Sequence, residues 1–431
     1  MKKKSEKNIV ILGAGIAGIS AAYHLQKMGS NAIVYEANSS AGGLLDNFVV
    51  EGFRFDNAIH LSFATESEVR EVFDRTPYLV HPAFSWCWDD SAWLKHPVQN
   101  NMFPLSIDAR VELIASLIAR PDIDVKNYQD WLIYQYGESI ATRWSLPYTE
   151  KYWTVPANKL GVGWIGNRVR RADIKEVLHG AFTSETPSYY YATEMRYPKR
   201  GGYRSFIEPM IAPIDIRCQH RAADIYLAKK QVRFSNGELV SFDQLINTMP
   251  LPELIKIIDK VPENIRNVAS TLFATSVDLI SVGFRKSNIQ PHLWFYIYDK
   301  DIFAARAYSP SIKSPDNVPE GCSSLQFEIY SSPRNPQTHS PEQMKSNTMM
   351  CLKKMGLIQS EDEVVFMHHK HLLWGNVVFD LGMEERRDLV INWLKQEGVI
   401  SAGRFGEWDY LWSNQAFMSG LKAAKHVYLN D

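Results

Sequence analysis

An α/β class is the fold that this chain of 431 residues predicts, and three observations predict it. The first is an apolar run, Asn8 to Leu12, that feeds directly into Gly13, Gly15 and Gly18 and then into a helical apolar pattern reaching Lys27. The second is the return path: Gly29 stops the helix, Ala32 to Tyr35 has the composition of a buried strand, and Glu36 stands at its end. The third lies in the second half of the chain. There Leu272 to Phe284, Leu293 to Tyr298, Ser323 to Tyr330 and Val364 to His368 read as strands of a separate, mainly antiparallel sheet.

Strand, tight turn and helix in this order have a physical use. The first glycine lets the chain turn, the second lets the backbone approach a pyrophosphate, and the third lets the helix lie close on the strand, so that phosphate charge meets the positive helix N-terminus. Glu36 then takes ribose hydroxyls, and an acid instead of an arginine argues against a 2′-phosphate. A glycine-rich turn in an unrelated α/β domain is the plainer alternative, but the acid at the right distance favours a Rossmann-like dinucleotide site.

Further on, Asn47 to Phe55 predicts a hairpin around Glu51 and Gly52, and a helix begins near Thr65 with Thr65 or Ser67 as its cap. Phe84 to Trp93 predicts another hairpin with Asp89 and Asp90 at its turn. From Ile107 to Ile140 the apolar spacing becomes helical. Gly201 and Gly202 precede a helix starting near Ser205; Asn236 and Gly237 mark a hairpin; Leu245 to Pro250 reads as a buried strand. Ser309 to Pro319 reads as loop, Glu384 to Gln396 as an amphipathic helix, Val399 to Gly403 as a last parallel strand, and Ser413 to Val427 as a helix facing back towards the first turn. The expected division is a discontinuous dinucleotide domain of 1–93, 200–270 and 380–431, a helical insert of 94–199, and a sheet domain of 271–379.

Composition narrows the function classes. A formal net charge of −1 with 22% charged residues provides no field for nucleic acid or an acidic membrane, which leaves small-molecule chemistry as the better expectation. Cys87, Cys218, Cys322 and Cys351 contain no CxxC pair, so neither a disulfide nor a metal site is expected. Lys2 to Lys4 before an apolar run is not a secretory signal, because glycines interrupt the run. No stretch reaches the length of a membrane span, and a cytoplasmic protein is expected. The 12 Trp, 20 Tyr and 20 Phe suit a site that stacks a base, a flavin or a sugar face, as well as a core.

Gly42 and Gly43, shortly after Glu36, resemble a second approach point of FAD enzymes of the amine oxidase and mutase kind. Longer blocks carry the resemblance over most of the chain: KHPVQNNMFPL (Lys95 to Leu105), PYTEKYWTVPANKLGVGWIGNRV (Pro147 to Val169), RYPKRGGY (Arg196 to Tyr203), the Arg306 region and AGRFGEWDYLWSNQAFMSG (Ala402 to Gly420). In this order they are similar to the UDP-galactopyranose mutase family, closest to its eukaryotic branch, within the FAD-dependent amine oxidase-like superfamily. The resemblance implies a Rossmann-like FAD-binding domain of the GR2 flavoprotein type. It also implies a pyranose to furanose isomerisation of a nucleotide sugar, in which N5 of the reduced flavin attacks the anomeric carbon and UDP departs and returns. NAD(P)H is the reductant it suggests, and it leaves room for a homo-oligomer.

The same resemblance implies roles residue by residue. Arg168 and Arg306 fall on the two diphosphate arginines, Arg306 in a loop, with Arg170 and Arg171 as neighbours of the first. His60 aligns with a histidine beside the flavin, Trp144 with a tryptophan that stacks uracil, and Trp153 with an aromatic near the active site. Gln99, Asn100 and Asn101 resemble a block near the uridine, while Tyr296 and Tyr410 match tyrosines that meet the phosphates. Gly403, Arg404, Asn414 and Gln415 belong to the flavin side, where the helix start would face the flavin N1 and O2 edge. The chain departs from the family at Lys313 and Asn376, each in place of a clamping tyrosine, at Thr149 in place of an asparagine, and at His96 in place of a tyrosine. Ion-paired arginines, core tryptophans and a structural histidine are the plainer readings of the same residues. An amine oxidase-like oxidoreductase passing hydride to FAD is the alternative function, and a flavin-binding protein without turnover is a third.

Overall fold

The computed structural model describes residues 7–90, 92–166, 168–169, 171–187, 194–289 and 292–429. A parallel sheet carries the first turn. Its strands run in the order Val399–Ser401, Gln244–Asn247, Ile9–Leu12, Ala32–Tyr35 and Asp215–Arg217. Ile9–Leu12 is buried at all four positions and pairs in parallel on both edges, which is why its sequence is continuously apolar instead of alternating. The helix Ile16–Lys27 leaves this strand through the glycine turn and packs along the helix Ser413–Leu429. Small residues make that approach feasible: a Cβ on Gly420 would come within 2.1 Å of the Ala17 carbonyl oxygen, and Ser20 Oγ donates to the Phe417 carbonyl at 2.8 Å. Both helix N-termini therefore open on the same side of the sheet, with Ile16 and Ser413 lining one cavity.

The second sheet has seven strands in the order Val364–Leu372, Ser276–Phe284, Ser323–Ser331, Arg306–Tyr308, Trp294–Ile297, Trp86–Asp89 and Ala92–Lys95. All of its pairings are antiparallel except Trp294–Ile297 with Trp86–Asp89. The hairpin at Asp89 and Asp90 thus joins this sheet and not the dinucleotide unit to which the sequence assigns residues up to 93. Likewise, Glu194–Pro198 leaves the expected helical insert to pair with Tyr78–Pro82. Helices Ile107–Ile118, Tyr128–Tyr136, Leu146–Trp153 and Ile174–Phe182 form the rest of the insert, and a π-helical turn at Ala141–Ser145 runs into Leu146–Trp153.

Four further expectations are corrected. Arg306 opens a three-residue strand and is not in a loop, because cross-strand bonds to Trp294–Ile297 and Ser323–Ser331 hold it on both sides. The segment Ser309 to Pro319 contains the short helix Pro310–Lys313, capped by the Ser309 side chain, and a 3-10 turn at Pro315–Asn317. The helix Ser67–Phe73 begins after Glu66 with no side-chain cap from Thr65 or Ser67. The expected helix near Ser205 is a 3-10 turn, Tyr203–Phe206, followed by Glu208–Ile211. Among the described residues no helix is long and apolar enough to cross a membrane, and no group of His, Cys, Asp and Glu could hold a metal ion.

Candidate active site

A cavity of about 1670 Å³ lies between the parallel sheet, the seven-stranded sheet and the helical insert. Ligand pockets for one drug-sized molecule run to roughly 1,000 Å³, so this space exceeds what a single small ligand fills. One end is built from Gly13, Gly15, Glu36, Asn38, Gly42 and Gly43. The three turn glycines do different work there. A Cβ on Gly18 would sit 2.0 Å from the Gly13 carbonyl oxygen, so Gly18 sets helix against turn, whereas a Cβ on Gly15 would meet nothing within 4 Å and would occupy the cavity itself. Gly13 and Gly42 sit at φ +101° and +122°, where a side chain is strained. Glu36 lines the same end, and its carboxylate accepts from the Ala14 N–H at 2.8 Å and from the Asn38 N–H and side-chain amide at 2.9 and 2.7 Å.

The other end is floored by one face of the seven-stranded sheet. Cross-strand register places Tyr296, Arg306, Glu328, Leu279 and Lys370 in one row across five strands, so alternation puts their side chains on the same face. Arg306 donates through Nε to Glu328 and through Nη2 to the Tyr330 hydroxyl at 3.0 Å, with its guanidinium over the Tyr152 ring at 5.2 Å. Burial works against the Arg306 charge, yet the Glu328 carboxylate and the surrounding phenols hold its pKa well above the usual value. Arg168 reaches the cavity from the insert. It donates to the carbonyls of Trp164 and Tyr410 at 3.1 and 2.6 Å, and lies 4.9 and 5.0 Å from the Tyr410 and Trp412 rings. Its Nε is buried without a partner. Arg404 binds the carbonyls of Leu411 and Gly375 and the Asn376 side chain, none of them charged, and burial lowers its pKa. Tyr148, Tyr152, Trp153, Tyr296, Tyr298, Tyr330 and Tyr410 complete an aromatic wall, with the Tyr152 and Tyr410 hydroxyls 2.9 Å apart. Burial raises the pKa values of Tyr148, Tyr296, Tyr330 and Tyr410, so they stay neutral phenols that can donate. His60 also lines the cavity, and burial lowers its pKa to about 4, leaving a neutral imidazole.

A glycine-turn cradle and a cationic, aromatic end thus share one cavity. Residues 16–428 match the family described as flavin containing amine oxidoreductase. The chain belongs to that family. Two curated relatives match over short pieces: the mitochondrial protoporphyrinogen oxidase of Nicotiana tabacum is 34% identical over 73 residues, 17% of this chain and 14% of the relative. The 1-hydroxycarotenoid 3,4-desaturase of Flavobacterium sp. (strain P99-3) is 46% identical over 50 residues, 12% of this chain and 10% of that enzyme. The chain therefore aligns with about one-seventh or less of the length of these relatives. Over its whole length it is similar in structure to a reduced UDP-galactopyranose mutase, with a TM-score of 0.92, 27% identity, and 99% and 96% of the two chains covered. A putrescine oxidase variant shares the fold alone, with a TM-score of 0.68, 14% identity and 99% of each chain covered.

FAD is the cofactor that this flavin family implies, and the residues fit it. A Cβ on Gly15 would meet no atom, so the turn is open there to the close approach a pyrophosphate needs, two helix N-termini converge on the cavity, and the space accommodates a dinucleotide with a second ligand beside it. Of the residues singled out in the sequence, Gly13, Gly15, Glu36, Gly42, Gly43, His60, Gln99, Thr149, Trp153, Arg168, Tyr296, Arg306, Gly403, Arg404 and Tyr410 line the cavity, as do His96, Asn376 and Arg171; Arg170 lies outside the described residues.

Others do not. Trp144 is fully buried in the insert and donates its indole N–H to Asp89 at 2.9 Å, one helical position off the face that carries Ser145, Tyr148, Thr149 and Tyr152 inward. Lys313 is also fully buried, held by Asp56 at 2.6 Å beneath the Tyr197 and Tyr308 rings, so it does not replace a clamping tyrosine in the cavity. Asn101 turns away to Pro97 and Thr186, and Asn100 to Glu176. The Asn414 side chain binds Glu66, and the Gln415 oxygen accepts from Trp412 N–H and Arg168; at that helix start it is Ser413 and Ala416 that line the cavity. Sequence reasoning missed Tyr148, Tyr152, Tyr298 and Tyr330. The spacing of Ser145, Tyr148, Thr149 and Tyr152 along one helix face and the alternation of Tyr296 with Tyr298 were the available signals.

Proposed function

We propose that the protein is an FAD-dependent mutase that interconverts the pyranose and furanose forms of a nucleotide sugar. The observation that carries this reading is that Arg168 and Arg306, 138 positions apart in the chain, line one cavity with the glycine-turn cradle. The whole-chain likeness to UDP-galactopyranose mutase at 27% identity supports it. Bound FAD in its reduced form supplies a nucleophilic nitrogen, N5. Everything else falls to the chain. Arg306, aimed by Glu328 and Tyr330, and Arg168, aimed by two carbonyls, oppose the charge that gathers on a departing diphosphate, where guanidinium forks suit phosphate oxygens. Tyr296 and Tyr410 are neutral phenols that donate to the same oxygens, and the aromatic wall excludes water around them. Arg404 and the N-terminus of Ser413–Leu429 favour negative charge on the flavin side.

Binding of UDP to the flavin-loaded protein tests the reading. Wild type should bind, and Arg168→Ala and Arg306→Ala should each weaken Kd by about 10- to 100-fold, the range expected for a charge-assisted contact of about 1.5–3 kcal/mol. Absence of binding across UDP, dTDP, GDP and their sugars would remove the reading.

A further inference from the structure

Glu328 has no exposed surface and does not itself line the cavity, yet it touches both of the cavity's working sides. One carboxylate oxygen, Oε1, accepts from the backbone N–H of Ile59 at 2.8 Å. The other, Oε2, accepts from Arg306 Nε and from the Tyr330 hydroxyl, which in turn accepts from Arg306 Nη2 at 3.0 Å. Ile59 lies between Ala58 and His60, and all three line the cavity. This short segment is held against its own preference: Ala58 sits at φ +71°, a conformation that non-glycine residues rarely adopt. Other charged groups hold its flanks, Lys370 through the Asn57 side chain at 2.8 Å and Lys313 through the His60 carbonyl at 3.5 Å. Among the described residues, it is Glu328 that connects the segment to the guanidinium at the far end.

We propose that Glu328 is a positioning residue that ties the Arg306 guanidinium to the Ala58–His60 wall, so that an anion engaging Arg306 is registered at the cofactor side of the cavity. The chemistry needs a carboxylate. Two acceptor oxygens with about four lone pairs serve donors from both directions, whereas an amide of the same shape offers one acceptor oxygen and turns an NH₂ towards the remaining donors. Glu328→Gln therefore breaks one side of the tie while keeping the volume. Because the negative charge next to Arg306 is removed, attraction for a diphosphate is retained; what is lost is the aim of the guanidinium and its connection to the wall.

The substrate side of this proposal rests on the mutase reading, and the experiment separates the two. Flavin-loaded full-length wild type, Glu328→Gln and Glu328→Asp are compared in UDP affinity, in turnover of UDP-galactopyranose by the reduced protein, in the flavin absorption change on adding UDP, and in the flavin spectrum and midpoint potential without ligand. Expected for Glu328→Gln are a UDP Kd within about threefold of wild type, turnover reduced at least tenfold, and loss of most of the UDP-induced flavin change. Glu328→Asp, which keeps both oxygens but shortens the reach, should fall between the two and supplies the comparison if the Gln protein does not fold. A merely structural role would lower the unfolding midpoint without separating Kd from turnover. Turnover of Glu328→Gln within twofold of wild type, with the flavin change intact, overturns the proposal and leaves the mutase reading standing. If wild type neither binds UDP nor turns over, the mutase reading fails, and the ligand-free flavin decides about Glu328: an altered spectrum or potential in Glu328→Gln upholds the tie to the wall, and identical values overturn it.

Discussion

Gly15→Ala and Gly18→Ala form a matched pair that isolates what the first turn is for. Gly15 has φ −75° and ψ 175°, an extended conformation any residue adopts, and its added Cβ would touch no protein atom within 4 Å. In the protein without flavin the substitution should therefore cost nothing, and restriction of the unfolded chain should stabilise it by about 0.4–1 kcal/mol. The same methyl stands where the pyrophosphate has to approach, and a displacement of the phosphates from the backbone N–H groups should weaken FAD binding by at least about 1.4 kcal/mol, a factor of ten. Gly18→Ala reverses the pattern. A Cβ placed 2.0 Å from the Gly13 carbonyl oxygen and 3.3 Å from the Ile11 side chain forces helix and turn apart, which as overpacking should cost about 1–3 kcal/mol of stability even without flavin. The assay is thermal unfolding of the flavin-free proteins beside titration of each with FAD, followed by quenching of flavin fluorescence. Gly15→Ala that binds FAD as wild type does would refute the argument that the pyrophosphate rests on this turn, and so would a loss of flavin-free stability equal to that of Gly18→Ala.

Trp144→Phe should leave UDP affinity unchanged and cost about 1–3 kcal/mol in urea unfolding, since it removes the donor to buried Asp89 and none of the cavity wall; a tenfold loss of UDP affinity without loss of stability would instead return Trp144 to the base. Lys313→Met strands the buried Asp56 carboxylate and should destabilise by about 3–5 kcal/mol, part of it recovered in Lys313→Met/Asp56→Asn, with UDP affinity unaffected in whatever fraction folds. Acid should also weaken the fold through its buried histidines. His60, His96 and His292 all have pKa values lowered by burial from 6.5 to about 4, so the unfolded chain takes up protons first and stability falls as pH drops from about 6.5 towards 4. Between pH 7.5 and 5 each site accounts for up to about 2 kcal/mol, and His292→Phe, away from the cavity, should flatten the measured decline by its share; an unchanged urea midpoint in wild type over that interval would contradict the assignment.

The parts of the molecule legible in advance were those in which local chemistry and global fold agree. The Gly13, Gly15 and Gly18 spacing, the buried strands on either side and the helix Ser413–Leu429 are local patterns whose period survives in the structure. Arg306 reads as loop in the sequence because a three-residue strand carries too little alternation to be seen; its two neighbours in the sheet, Tyr296 and Glu328, are 10 and 22 positions away. The helical insert hid its inward face for another reason. Trp144 and Trp153 look alike in sequence; nine residues apart on a helix they face opposite ways, and which of the two faces meets the cavity is set by how the helix packs against the rest of the fold, which no local pattern reports. Lys313 belongs to a pair whose members are 257 positions apart, and no local signal announces such a pair.

The most direct measurement of the central claim is turnover as a function of flavin redox state. UDP-galactopyranose is incubated anaerobically with the dithionite-reduced protein and aerobically with the oxidised one, and the products are separated by chromatography. The furanose isomer should form only with the reduced protein, without net oxidation of the flavin, and should disappear in Arg306→Ala. No furanose from the reduced protein, together with bleaching of the oxidised flavin and peroxide release on addition of an amine, would contradict the mutase account and place the chain among the oxidases of its family.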